Sequence, residues 1–333
     1  MLFRIATGLL IVFVAITSRD DPATAATREI SFVHQPGLSL MPILIMESDN
    51  LIEKQAKLAG IGDLKVNWIT LANAGSMSDA LLSGSANFVS SGVPTLVQLW
   101  NKTPPDNRVM GVSPTGRLPL LFNVRRSGVK SLADLNSTDR IAVPGAKLSV
   151  AALMLQMAAA KQFGADNYAK LDSQAVTFPD SDAVAQMVSG VGDITAHFAP
   201  PPYGFLEAQS PAVKTVFSSY DIAGPVTVGI ILTTSKFYKQ NPDIVAAVRA
   251  ALYEAITFIK SDPETASKKY LAASGDKLTV TQVMAIIKDI DFNPQPRGVM
   301  MMIDFMQKVG VIERKPQSIS DIFLPGAIMD EEK

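Results

Sequence analysis

The chain has 333 residues, 30 basic and 31 acidic side chains, a formal net charge of −1 and no cysteine. Balanced charge gives no footing for nucleic acid or an anionic membrane surface. The lack of cysteine excludes a disulfide framework, a thiol nucleophile, a thiolate metal site and lipid anchoring through a cysteine after the leader.

Residues 1–25 read as a secretory signal. Arg4 supplies the positive start, residues 5–16 the apolar stretch, and Ala23-Thr24-Ala25 the small-residue cleavage site. The stretch falls short of the roughly 20 apolar residues of a membrane span, and Arg19, Asp20 and Asp21 close it. About 300 residues then remain, enough for two hydrophobic cores.

Residues 30–34 read as a strand with a polar exit at Gln35-Pro36-Gly37. Residues 38–57 read as one helix, with Ile43, Leu44, Met46 and Leu51 on an apolar face, stopped by Gly60 and Gly62. A strand over 64–69 follows, then a turn at Asn73-Ala74-Gly75. Ser76 is placed as the cap of a helix over 77–83 by the box-like Ser76-Met77-Ser78-Asp79. That helix ends at Gly84, a short strand follows, and Ser90-Ser91-Gly92 lies past it. With a further strand at 109–113, this is a run of β-α units, as a parallel sheet requires.

The apolar run 118–124 has strand character, and 140–144 begins a second set. Ser149 caps a helix over 150–163 closed by Gly164, and its lack of a polar face predicts burial in a second lobe. Strands at 175–179, 193–197 and 213–217 and a helix at 182–189 complete this half. The run 192–202 repeats the order of parts found at 83–94: a helix ending at Gly, a strand, then small or polar residues. In open parallel sheets ligands bind beyond the strands' carboxyl ends. Two such ends predict two lobes facing across a cleft, the anatomy of a solute receptor.

A β run at 225–233 leads into a helical tail with helices at 241–260, 264–271, 279–290 and 298–308. In the first of these Val245, Val248, Leu252, Ile256 and Ile259 share a face. Thr279-Val280-Thr281-Gln282 is a capping box, and the methionine-rich run 299–303 reads as core filling against the first lobe. Two crossovers place a hinge near 123–126 and 224–228. The lobes are then 26–123 with 229–333, and 124–228.

These pieces in this order resemble the substrate-binding proteins of nitrate/sulfonate/taurine-type ABC importers, a group that includes pyrimidine-precursor binders. The resemblance rests on Leu40-Met41-Pro42-Ile43, Ala80-Leu81-Leu82-Ser83-Gly84, Ser131-Leu132-Ala133-Asp134-Leu135 before Arg140-Ile141-Ala142-Val143, residues 190–196 leading to Pro200, Asn241-Pro242, and residues 306–310. Asn87 stands where that family usually has Asp, and it reads as serving the strand start.

The resemblance implies an α/β periplasmic-binding-protein fold (type II) of two lobes, each a mostly parallel sheet flanked by helices, with the tail packed on the first lobe. It also implies a periplasmic, monomeric receptor that captures a small solute and delivers it to an ABC permease with its ATPase. The ligand positions it implies are Gln35, Leu40 and Met41; Gly75, Ser76 and Met77; Ser90, Ser91 and Gly92; Lys147, Leu148 and Ser149; and Phe198, Ala199 and Pro200.

Read from the residues, the helix starts behind Ser76 and Ser149 offer free N–H groups to an anion, or those serines simply cap their helices. Arg117 has the planar fork for an oxyanion, and Asp180 suits an amine or ring N–H, unless both are ordinary solvated charges. His34 and His197 end cleft-facing strands and suit hydrogen bonding to ligand or backbone; two histidines fall short of a usual zinc set. Gly190-Val191-Gly192 precedes its strand, so it is no dinucleotide fingerprint. With no nucleophile elbow, P-loop or H-E-x-x-H, neither an enzyme nor a cofactor is expected. Few aromatics besides Phe198 and Tyr203 lie in these loops, which favours a small or partly aliphatic anion over a stacked ring. The alternatives are a receptor for a membrane signalling protein and a relative of a pyrimidine-making enzyme. The latter depends on a cysteine-rich segment absent here.

Overall fold

The computed structural model describes residues 28–328 apart from positions 72 and 148. The signal-peptide reading of 1–25 and the ligand position Leu148 lie outside the described residues. The first half contains β1 (Arg28–His34), α1 (Met41–Ser48), α2 (Leu51–Leu58), β2 (Leu64–Thr70), α3 (Ala74–Ser83), β3 (Phe88–Gly92), α4 (Val93–Lys102) and β4 (Val109–Arg117). The second contains β5 (Leu121–Val124), β6 (Ile141–Val143), α5 (Val150–Phe163), β7 (Ala175–Thr177), α6 (Asp180–Ser189), β8 (Ala196–Ala199), α7 (Tyr203–Ala208), β9 (Lys214–Ser218) and α8 (Ser219–Ala223). The chain returns through β10 (Thr227–Thr234) to α9 (Ser235–Gln240), α10 (Pro242–Ser261), α11 (Pro263–Ser274), α12 (Val280–Ile287) and α13 (Val299–Lys308).

Two five-stranded sheets result, ordered β2-β1-β3-β10-β4 and β7-β6-β8-β5-β9. The two orders are the same pattern. In each, the first three strands are parallel, and the strand arriving from the other half inserts antiparallel beside them. The two-lobed α/β architecture is as expected; in detail each sheet is mixed, because a crossing strand enters from the opposite direction.

The crossings are placed by pairing. The sequence sets the first at 123–126, but β5 is already paired at Asn123 with His197, so the chain changes sheet over 118–120. Pro119 divides the apolar run there, since it has no N–H for a ladder. The return runs over 224–226, between α8 and β10.

Several bounds differ for local reasons. The expected helix over 38–57 is a 3-10 turn, Leu38–Leu40, followed by α1 and α2. The break is at Asn50, with φ 50°, a left-handed conformation that asparagine tolerates better than most residues. Helix α3 starts at Ala74, because Asn73 caps it by accepting a hydrogen bond from Ser76 N at 2.9 Å. Ser76 therefore lies inside the first turn. Asp180 opens α6 two residues before the expected start, and β8 runs two residues past His197. Asn87 serves the strand start as expected, its Oδ1 accepting Ser31 N at 2.8 Å.

Apolar packing runs through both lobes. In the first, Phe32 lies 4.8 Å from Trp68 and 5.8 Å from Phe88, ring centre to ring centre. In the second, Phe122 stacks on Phe217 at 4.8 Å and meets Phe198 edge-on at 5.6 Å. Helices α10 and α11 pack on α1 and α2 of the first lobe, as expected of the tail, but α13 packs on both α4 and α5. Tyr168, after α5, donates to Val309 O at 3.1 Å, and its ring meets Phe305 edge-on. The tail thus bridges the lobes.

Phe122→Ala should cost about 3–5 kcal/mol, the range for emptying a buried aromatic site. Urea unfolding monitored by circular dichroism checks this.

Candidate functional site

The crossings bring the carboxyl ends of both sheets' parallel strands together, and a cavity of about 150 Å³ lies between them. The first lobe supplies Gln35, Ser39 and Leu40 after β1, Ala74 at the start of α3, and Ser90, Ser91 and Gly92 of β3. The second supplies Ser149, Val150 and Ala151 at the start of α5, then Asp180 and Ser181 at the start of α6, and Pro200 and Tyr203 after β8. The crossing segments close it with Leu118, Leu120, Val228 and Gly229.

The lobes approach tightly. A Cβ on Gly92 would sit 2.7 Å from Val150 Cγ2 of the other lobe, closer than packed carbon atoms sit. Beside it the Ser90 side chain is buried, and its Oγ has no hydrogen-bond partner among the described residues. A buried hydroxyl without a partner is costly, and here it borders the cavity.

Of the positions read from sequence, Gln35, Leu40, Ser90, Ser91, Gly92, Ser149, Asp180 and Pro200 line this cavity. Met41, Met77 and Phe198 are fully buried in the core instead. Gly75 and Ser76 lie in the first turn of α3, where only Ala74 reaches the cavity. The Ser149 hydroxyl caps α5, accepting Ala152 N at 3.2 Å and donating to Gly145 O at 2.7 Å.

Both expected cations are elsewhere. Arg117 donates to Asp291 Oδ2 at 2.6 Å and to Gln295 O at 3.2 Å, which ties β4 to the tail. Lys147 is exposed and borders a separate depression of about 310 Å³ where α4, α5 and α13 meet. That depression is larger but lies away from the strand ends, so the cleft is the better candidate.

His197 is fully buried behind the cavity wall and does not line it. Its Nδ1 lies 2.6 Å from Glu207 Oε1 and its Nε2 3.0 Å from Asp180 Oδ1. Asn123 donates to Glu207 Oε2 at 2.9 Å and accepts from Thr215 Oγ1 at 2.7 Å. Burial by itself would push the imidazole down, but hydrogen bonds to Asp180 and Glu207 outweigh it and the pKa is pushed up to about 9. His197 is therefore an imidazolium at neutral pH, held between two carboxylates. Burial, together with the charges of Asp180 and Asp276, pushes the Tyr203 phenol well up, so it is neutral. His34 is also buried away from the cavity, with Nδ1 2.9 Å from Gln35 O. Among the described residues no group of three or more His, Cys, Asp or Glu side chains is placed to hold a metal.

A family model described as "NMT1/THI5 like" matches residues 62–266, more than half of the chain. The chain belongs to the NMT1/THI5-like family. Among curated proteins none matches its sequence. Solved structures do match its fold. The alkanesulfonate-binding protein SsuA from Xanthomonas axonopodis pv. citri, bound to MOPS, has a TM-score of 0.69 at 16% identity, covering 92% of this chain and 99% of that one. The Candida albicans CA3427 gene product, described as having the generic periplasmic binding protein fold, has a TM-score of 0.66 at 13% identity, covering 91% and 98%. The periplasmic nitrate-binding protein NrtA from Synechocystis PCC 6803 has a TM-score of 0.60 at 13% identity, covering 79% and 70%. The resemblance read from the sequence is borne out, and the fold is that of the periplasmic binding proteins. Among the described residues no helix is long and apolar enough to cross a membrane.

Sequence reasoning missed Ser39, Ser181 and the crossing residues as cavity lining. One signal was available: segments that pass between two lobes must run beneath the cleft they form.

The network sets a pH dependence. The folded pKa of His197 lies above the ordinary value, so its contribution to stability is fully present below about pH 6.5 and is lost as pH rises through about 9. The loss should be on the order of a few kcal/mol. The chain has two histidines, so their imidazole proton signals are readily told apart by NMR. One should titrate near pH 9, and a His197 midpoint at or below 6.5 would contradict the charged network.

Proposed function

We propose that the protein is an extracytoplasmic solute receptor, exported by its leader, that captures a small molecule between its lobes and hands it, as a monomer, to an ABC permease. The observation that carries this reading is the cavity itself. It is walled by loops from both lobes at the strand ends, and the buried, unpartnered Ser90 hydroxyl borders it. Crossings at 118–120 and 224–226 serve as the hinge about which the lobes close on the solute. Family membership and the likeness to periplasmic binding proteins support the same role.

The finer reading of the solute as an anion, as in the nitrate- and alkanesulfonate-binding neighbours, draws support from the start of α5. Its first residues face the cavity and carry the positive end of the helix dipole. Arg117 and Lys147 add nothing to it, since both are directed elsewhere.

A thermal-shift screen against sulfonates, nitrate, carboxylates, amines and pyrimidines tests capture. At least one solute should raise the melting temperature of the wild type and leave Ser39→Trp, whose indole fills the cavity, unmoved. A solute that stabilises both equally binds outside the cleft and refutes the reading. Export is tested by intact-mass analysis of the periplasmic fraction, which should show a mature chain starting near Ala26 or Thr27. Full-length chain confined to the cytoplasm would refute it.

A further inference from the structure

The residues lining the cavity include serines, glycines, aliphatic side chains and one formal charge, that of Asp180. Among the described residues no lysine or arginine lines it. Asp180 is also directed: Oδ1 is held by His197 Nε2 at 3.0 Å, and Oδ2 has no hydrogen-bond partner among the described residues. Behind it the charges do not cancel. Asp180 and Glu207 are two carboxylates sharing one imidazolium, and Glu207 is fully buried with its other oxygen satisfied by Asn123. One negative charge is left over, and the Asp180 side chain, 15% exposed at the cavity wall, is where it reaches a solute. The starts of α5 and α6 both turn positive dipole ends to the cavity, and Asp180, in the first turn of α6, carries the one formal side-chain charge among the described lining residues.

We propose that Asp180 is the specificity-determining residue of the cleft and that its Oδ2 accepts a hydrogen bond from a protonated amine of the solute. Ser90 Oγ, buried and without a partner among the described residues, lies on the other lobe's side of the cavity and takes a second polar group of that solute. His197 acts through Asp180, fixing which oxygen is free and where it points. This inference rests on the cleft being the capture site. It departs from an anionic solute, because a sulfonate set close to the free oxygen of the Asp180 carboxylate in a site screened from water is repelled.

Calorimetry at pH 7 with benzylamine and benzenesulfonate, two probes of one skeleton and opposite charge, tests it. The wild type should bind benzylamine at least about tenfold more tightly than benzenesulfonate. Asp180→Asn keeps an oxygen for His197 and removes the charge, so it should weaken benzylamine by about tenfold or more. Tighter binding of benzenesulfonate to the wild type overturns the proposal without any variant. So does benzylamine affinity unchanged in Asp180→Asn, or no benzylamine binding at millimolar concentration. Ser39→Trp separates the two readings. If it abolishes benzylamine binding while Asp180→Asn does not, Asp180 is wrong and the cleft stands; if benzylamine binds Ser39→Trp undiminished, both fail.

Discussion

Everything in this molecule depends on the chain passing between its sheets twice. A strand arriving from the other lobe can join a parallel sheet only by running against its neighbours, so β5 and β10 each insert antiparallel beside a strand of the first three. The insertions keep the parallel strands' carboxyl ends facing one another. They also put Leu118, Leu120, Val228 and Gly229 at the bottom of the space between those ends. Cleft and crossings are therefore one feature, and the glycine at position 92 sets how near the lobes come.

The chemistry of the cleft is decided one layer below its surface. Side chains from β9, β5, α7, β8 and α6 form a continuous chain, Thr215 to Asn123 to Glu207 to His197 to Asp180, buried at its three central members. Buried charges persist only when paired and hydrogen-bonded, and each member here satisfies the next. The last is the exception, with one carboxylate oxygen left for the cavity. The other described lining residues are neutral, so an interaction assembled behind the wall governs the electrostatics of the cavity.

The sequence carried the periodic part of this arrangement. Alternating strands and helices, the Ser149 cap, the Thr279 capping box and the long amphipathic helix α10 were all legible, because each is written in residues a few positions apart. Eight of the expected ligand positions reach the cavity. The misses share a cause. Arg117 reads as a free cation until Asp291, 174 residues later, is seen beside it. Phe198, near the end of β8, and Met77, in the first turns of α3, both turn inward, since side-chain direction depends on packing across elements. Ser76 lost the cap to Asn73, three residues earlier and also a good capping residue. The His197 network draws on five elements and had no local signature.

Helix α13 touches α4 on one lobe and α5 on the other, and Tyr168 is fastened to Val309 just beyond it. Two strand crossings alone would leave the lobes free to bend, twist and splay, like two boards joined by a pair of cords. A helix laid against both halves, away from the cords, removes most of that freedom. A closure of the proposed kind would turn about an axis that keeps α13 seated on both, like a door on its frame. In that proposal the tail sets the direction in which the mouth of the cleft widens, though none of the described cavity-lining residues belongs to it.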